Sequence, residues 1–423
     1  MAGETASGGE SLESWRDELL RGGVDPEEAD RLQALLEGEL TTLRSAGLDP
    51  DEAMLVGVRR LGRILPGPSP AEARVALALA VEAGVAIKLP ELFGASWEGV
   101  EQGQLFLLRN LSLFVLPFLA AFFAWKRKVP AGRWPWLALP FVAGAAAVNG
   151  LPFVPEGDTQ ILAVLHLPIA LWLAVGVAHA GGAWRSHAER LAFVRFSGEV
   201  FIYYVLIALG GGVFMASTAF AFEAIGLDPE SFVTGWLLPC GAMGAVVIAA
   251  WLVGAGQGVV RQLAPMLTLL FTPLFALLLA GLLVAMAVTG SGIDVDRDVL
   301  IGFDLLLVVV VGLLLYAISS RPTDAPPGLL DGLQMVLVSC ALVVDALALW
   351  AIAARISDNR VAALGENLIL GANLAGSAVL LGRCLRRRAG VAALQRWQTA
   401  FLPVYAGWAW LVVVVFPIVF GFR

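Results

Sequence analysis

From near position 72 to the carboxyl terminus, apolar residues come in runs of about twenty, separated by short segments that carry most of the charge. A helix rises about 1.5 Å per residue, so such a run matches a hydrocarbon core of about 30 Å. Backbone groups find no water there, which restricts spanning segments to helices or closed barrels, and long unbroken runs of Leu, Val, Ala and Phe choose helices. The pattern predicts an all-α fold, a polytopic transmembrane helix bundle of about eleven spans. They fall near 72–92, 105–125, 134–151, 161–180, 199–221, 233–254, 266–288, 299–318, 330–353, 363–382 and 399–421. The first is unusual in holding both Glu82 and Lys88.

Ahead of the bundle (72–423) the pattern changes. Residues 1–10 are small and polar and read as a disordered tail, and 11–65 as a soluble helical prefix domain. Two phrases recur in it, Gly23-Val24-Asp25-Pro26-Glu27-Glu28-Ala29 and Gly47-Leu48-Asp49-Pro50-Asp51-Glu52-Ala53. Each is a helix start: Gly closes the preceding helix, Asp caps, Pro takes the first helical position, and acids complement the dipole. Helices are expected over 11–22, 26–46 and 50–65, the second with a stripe of Leu32, Leu35, Leu36, Leu40 and Leu43. Pro66-Gly67-Pro68-Ser69-Pro70 reads as a linker over 66–71, since three prolines cannot continue a helix. The start of the chain lacks the basic and apolar regions of a signal peptide, so insertion is assigned to the first span.

The composition, 58% hydrophobic and 15% charged with a net charge of −7, adds less than the placement of the charges. With eleven spans and the prefix inside, inner loops carry Lys126, Arg127, Lys128, Arg133, Arg185, Arg190, Arg195, Arg261, Arg321, Arg383, Arg386, Arg387, Arg388 and Arg396. Outer loops carry Arg297, Arg355 and Arg360 together with most of the loop acids. This asymmetry predicts a bacterial cytoplasmic (inner) membrane protein with its amino terminus cytoplasmic and its carboxyl terminus outside. Arg386, Arg387 and Arg388, followed by Leu394 and Trp397, form a basic amphipathic loop. It either anchors two spans or binds anionic lipid headgroups. The partners implied are the lipid bilayer, anionic lipid and a protein partner of the prefix; no nucleic acid is implied.

Ionisable side chains inside a bilayer cost about 2.5–3.5 kcal/mol each on insertion scales, so each needs a reason. The binding or ion-coupling candidates are Glu82, Lys88, Arg109, Asn149, His166, Asp304, Asp345, Glu366 and Asn367. All but Glu82, which is nearer mid-helix, fall in the half of their spans remote from the basic loops. They read either as one ion- or proton-coupled pocket or as structural interhelical pairs with snorkelling ends. His166 and His179 have a spacing familiar from membrane di-haem proteins, but that site needs four histidines and the chain has 3. Gly210-Gly211-Gly212 sits in a span with no preceding strand, so it reads as helix packing rather than a phosphate loop. No hydrolase or Walker motif occurs, and the 3 cysteines form no metal or redox pair. No catalytic residue, metal or cofactor is expected.

Val361-Ala362-Ala363-Leu364-Gly365-Glu366-Asn367-Leu368, Leu165-His166-Leu167-Pro168-Ile169-Ala170-Leu171-Trp172, Phe196 to Tyr204 and Phe401-Leu402-Pro403-Val404-Tyr405 resemble an uncharacterised bacterial multi-span membrane family, a domain of unknown function. The second helix-start phrase followed by Arg59-Arg60-Leu61-Gly62 is similar to the permease prefix found ahead of some bacterial transport proteins. The resemblance transfers no catalytic role, and the prefix points toward transport. Three functions stay open: a transporter- or channel-like protein with an outward-facing polar site, a sensor whose prefix binds a partner, and a lipid-modifying enzyme.

Overall fold

The computed structural model describes residues 12–13, 15–17, 19, 26–62, 70–95, 101–155, 157–223, 232–254, 259–289, 297–321, 328–353, 361–387 and 389–422. Every regular element among them is helical, as the apolar runs required. The chain forms two compact units, Met1–Val75 with Gly254–Gly256, and Ala76–Val253 with Gln257–Arg423.

In the first unit, α1 (Pro26–Ser45) and α2 (Pro50–Gly62) both begin on the proline that the repeated phrase placed there. Gly47 adopts φ +93°, a left-handed conformation open to Gly without strain. It lets the Leu48 N–H reach back to the Leu43 carbonyl at 3.3 Å, closing α1. Leu32, Leu36, Leu40 and Leu43 bury with Ala53, and Leu48 packs on them. Leu35, expected in the same stripe, is 51% exposed. The linker expected over 66–71 lies mostly outside the described residues, and its last proline already starts α3 (Pro70–Ala86).

The second unit continues through α4 (Glu101–Asn110), α5 (Leu116–Lys126), α6 (Trp134–Gly150), α7 (Asp158–His179) and α8 (His187–Glu223). After it come α9 (Leu238–Gly254), α10 (Val259–Thr289), α11 (Arg297–Ser319), α12 (Leu329–Ala353), α13 (Val361–Leu385), α14 (Val391–Trp410) and α15 (Phe416–Val419). Among the described residues, eight helical stretches are long and apolar enough to cross a membrane: 103–126, 158–179, 187–216, 233–254, 271–288, 329–350, 364–385 and 391–419. This is a multi-pass membrane protein by that measure. The other expected spans are helices as well, α3, α6 and α11, of 17, 17 and 23 residues.

Small residues let these helices approach. A side chain at Gly365 would collide with Trp408, one at Gly376 with Trp397, and one at Gly144 would come within 2.8 Å of Leu167. Gly210, Gly211 and Gly212 do not work this way: a Cβ there meets open space, which corrects their reading as a packing motif. Prolines inside helices leave the carbonyl four residues earlier without its usual donor. Two such carbonyls are answered by cations: Gly235, four before Pro239, accepts from Lys88 Nζ at 2.5 Å, and Thr399, four before Pro403, accepts from Arg190 at 3.0 Å.

Candidate functional site

Two groups of polar side chains stand out among the described residues of the second unit. One lies toward the end that carries the basic segments 126–133, 181–195, 319–321, 328–331, 382–387 and 389–399. There Gln395 Nε2 donates to the Ile318 carbonyl in the last turn of α11 at 3.1 Å and to the Arg321 carbonyl just beyond it at 3.0 Å, and Arg195 donates to the Ser319 carbonyl. These are the orphan acceptors of a helix carboxyl terminus, and side-chain donors are what such an end requires. Gln398 accepts from Asn373 Nδ2 at 3.1 Å and donates to Ser377 Oγ at 2.6 Å. Ser377 and the Trp397 indole both donate to the Asn373 carbonyl. The Thr399 hydroxyl donates to the Gln395 carbonyl and meets His187 Nδ1 at 2.6 Å. Arg321 pairs with Asp331, which also accepts from the Gly328 N–H. Arg386 and Arg387 are exposed at this end, and Arg388 lies outside the described residues.

At the opposite end the sequence candidates converge in part. His166, Asp304, Asp345, Glu366 and Asn367 lie about 8–12 Å from the same-side ends of α7, α11, α12 and α13, at 1.5 Å per residue. Asn367 Nδ2 donates to Asp304 Oδ1 at 2.6 Å, and both residues are buried. His166 Nδ1 faces the Leu162 carbonyl at 2.9 Å, which only accepts, so Nδ1 carries a hydrogen. That turns Nε2 toward Glu366, 3.5 Å from its carboxylate. An imidazole and a carboxylate in this geometry form an ion pair whenever the ring is protonated. Asp304 lies within electrostatic reach of Glu366, Asp345 and His166. Asp345 is 3% exposed and packs on Gly371, and its Oδ1 has no hydrogen-bond partner among the described residues.

Four other candidates stand apart, so the single cluster expected from sequence divides. Lys88 is buried, pairs with Glu91, donates to Gly235 and lies 4.7 Å from the Trp236 ring centre. Glu91, three residues on, was the partner that sequence spacing could have supplied. Asn149 exchanges two amide hydrogen bonds with Asn110, at 2.9 and 2.7 Å. Arg109 packs over the Phe106 ring at 5.5 Å. Glu82, expected deep in the cluster, is exposed on α3. His179 sits among Phe123, Phe193 and Phe196 with ring centres 4.7–5.7 Å away, a packing position.

The acidic-end cluster borders a cavity of about 500 Å³ walled by α5, α7, α11, α13 and α14. Its wall is carbon-rich, from Val308, Val311, Leu315, Ile369 and Leu370 among others, and its polar residues include His166, Glu366, Tyr405 and Trp408. The Tyr405 hydroxyl and the Trp408 indole nitrogen are buried without a hydrogen-bond partner among the described residues. Trp172 also lines the space, but its indole donates to Ser197 at 3.0 Å. Neither aromatic was flagged by the sequence, because in an apolar helix Tyr and Trp read as packing. The described residues offer no group of acids, histidines or cysteines placed to hold a metal ion.

No family model, curated protein or solved structure matches this chain.

Proposed function

We propose that this chain is a proton-linked transport protein of the bacterial cytoplasmic membrane, its binding site being the cavity beside His166 and Glu366. The observation that carries this reading is the approach of the His166 ring to the Glu366 carboxylate, 3.5 Å apart on the wall of a 500 Å³ space. Ionisable groups at that depth, joined by Asp304 and Asp345, are what a proton pathway through lipid needs. The loop charges support eleven spans with the basic end and the prefix cytoplasmic, which puts the cavity in the outer half. On this reading α3, α6 and α11 complete the membrane crossing, the 17 residues of α3 and of α6 being met by local thinning or snorkelling ends. The resemblance of the prefix to permease prefixes favours transport. A sensor is the second reading, favoured by the prefix having an apolar core of its own.

The function is tested in energised inside-out vesicles containing the chain, where a transported solute that exchanges with protons collapses the pH gradient reported by an acridine dye. A panel of bilayer-soluble compounds should contain one that does this only when His166 and Glu366 are intact. Equal responses from E366Q and the unaltered chain contradict the proposal. Orientation is tested separately, in a chain stripped of its three native cysteines. Maleimide should reach P155C from outside intact cells and R185C only after permeabilisation, both positions being exposed.

A further inference from the structure

We infer that the cavity takes an uncharged lipophilic molecule whose polar head accepts hydrogen bonds, a ketone-, ester- or quinone-like carbonyl compound reaching the site from within the bilayer. This rests on the reading of the cavity as a binding site and adds the chemistry of what fills it. Most of the wall is hydrocarbon, which selects an apolar body, and about 500 Å³ is within the range of sites for drug-sized ligands. Two residues of that wall, Tyr405 and Trp408, carry donors, the hydroxyl and the indole N–H, that are shielded from water and without a partner among the described residues. An indole N–H can only donate, so the complement is an acceptor. The residues are three apart on α14 and therefore share one face, so a single head group can answer both. Leaving either donor buried and unmet costs about 1–3 kcal/mol, which a matching acceptor removes.

The charges nearby narrow the class. Glu366 borders the cavity and Asp304 stands within electrostatic reach of it. An anionic head would face carboxylates at low dielectric, and a cationic head would leave the Trp408 N–H unanswered. An uncharged acceptor satisfies the donors without either penalty. The route follows from exposure. Pro168, Ile169 and Gly312 line the space and are exposed, and on membrane-spanning helices such positions face acyl chains. The mouth is therefore lateral, open to solutes dissolved in the bilayer.

The probe is an alkyl benzophenone, which has the apolar body and the carbonyl and crosslinks on illumination, applied to the full chain in nanodiscs with no ion gradient. Adducts should fall on the segments 166–173 and 405–409. A long dialkyl ketone at equal membrane mole fraction should suppress them, and an alkane of the same length should not. Y405F and W408F should each weaken capture per folded molecule by about 2–10-fold, the equivalent of one lost hydrogen bond, with Y405F folding at least as stably as the unaltered chain. Adducts spread evenly over the helices, suppression by the alkane equal to that by the ketone, or unchanged capture in both variants would overturn the inference. The competition arm needs no variant to fold. Failed capture with intact proton exchange sinks the ligand class alone, and normal capture with proton exchange indifferent to E366Q sinks the transport reading alone.

Discussion

The basic and acidic ends of the bundle bury similar amounts of polarity and treat it differently. At the basic end Asn373, Ser377, Gln395, Gln398 and Thr399 are all buried and all hydrogen-bonded, to one another or to carbonyls freed by a helix end. None of the five is ionisable, and their partners are side chains and backbone of α8, α11, α13 and α14 and the Arg321 carbonyl just past α11. At the acidic end Asp304, Asp345, His166 and Glu366 are all ionisable, and Asp345, Tyr405 and Trp408 each keep a buried atom without a hydrogen-bond partner among the described residues. A completed network holds helices in register; an incomplete one beside a cavity is chemistry awaiting a second component. Stability is expected to lie in the first region and activity in the second.

That division can be broken by substitution, beginning where the effect should be largest. Q398A removes the acceptor for Asn373, the donor to Ser377 and a buried side-chain volume, and should destabilise by about 2–4 kcal/mol. Unfolding in mixed micelles with rising denaturing detergent measures it, and a loss under about 1 kcal/mol would show that the basic-end network is not structural. G376A follows. Its methyl would displace the Trp397 ring and take the indole donor from the Asn373 carbonyl, for about 1–3 kcal/mol of overpacking in the same assay. D345N should be the mildest. Its carboxylate already lacks a partner at Oδ1, so an amide of the same shape should change stability by less than about 1 kcal/mol in either direction. A large loss from D345N would mean that the acidic end is a structural network too.

How much of this was legible in the sequence depended on how loudly each residue type contrasts with its surroundings. Apolar runs announced the helices because few polar residues interrupt them, and Asp-Pro announced the starts of α1 and α2 because few residue pairs serve there. Asp304, Asp345, Glu366 and His166 stood out as ionisable residues amid hydrocarbon, so most of the acidic-end cluster could be found. Lys88, Arg109 and Asn149 were drawn into it on depth alone. Depth along a span says nothing of the direction a residue takes around the helix, and Glu82, on the exposed side of α3, shows the same limit. Gln395, Gln398 and Thr399 went unread because they are uncharged and sit close to a loop, where polarity is ordinary. Tyr405 and Trp408 went unread because their polar atoms matter only once the cavity between five helices is known.

The account's central claim is tested most directly by measuring proton exchange per folded molecule in E366Q and Q398A, side by side, in the energised vesicles. E366Q keeps the shape at the cavity and removes the carboxylate that faces His166. The account predicts that E366Q folds with unchanged thermal stability and loses the exchange, and that Q398A yields less folded protein which exchanges normally. Exchange retained by E366Q, or lost from folded Q398A, would contradict it.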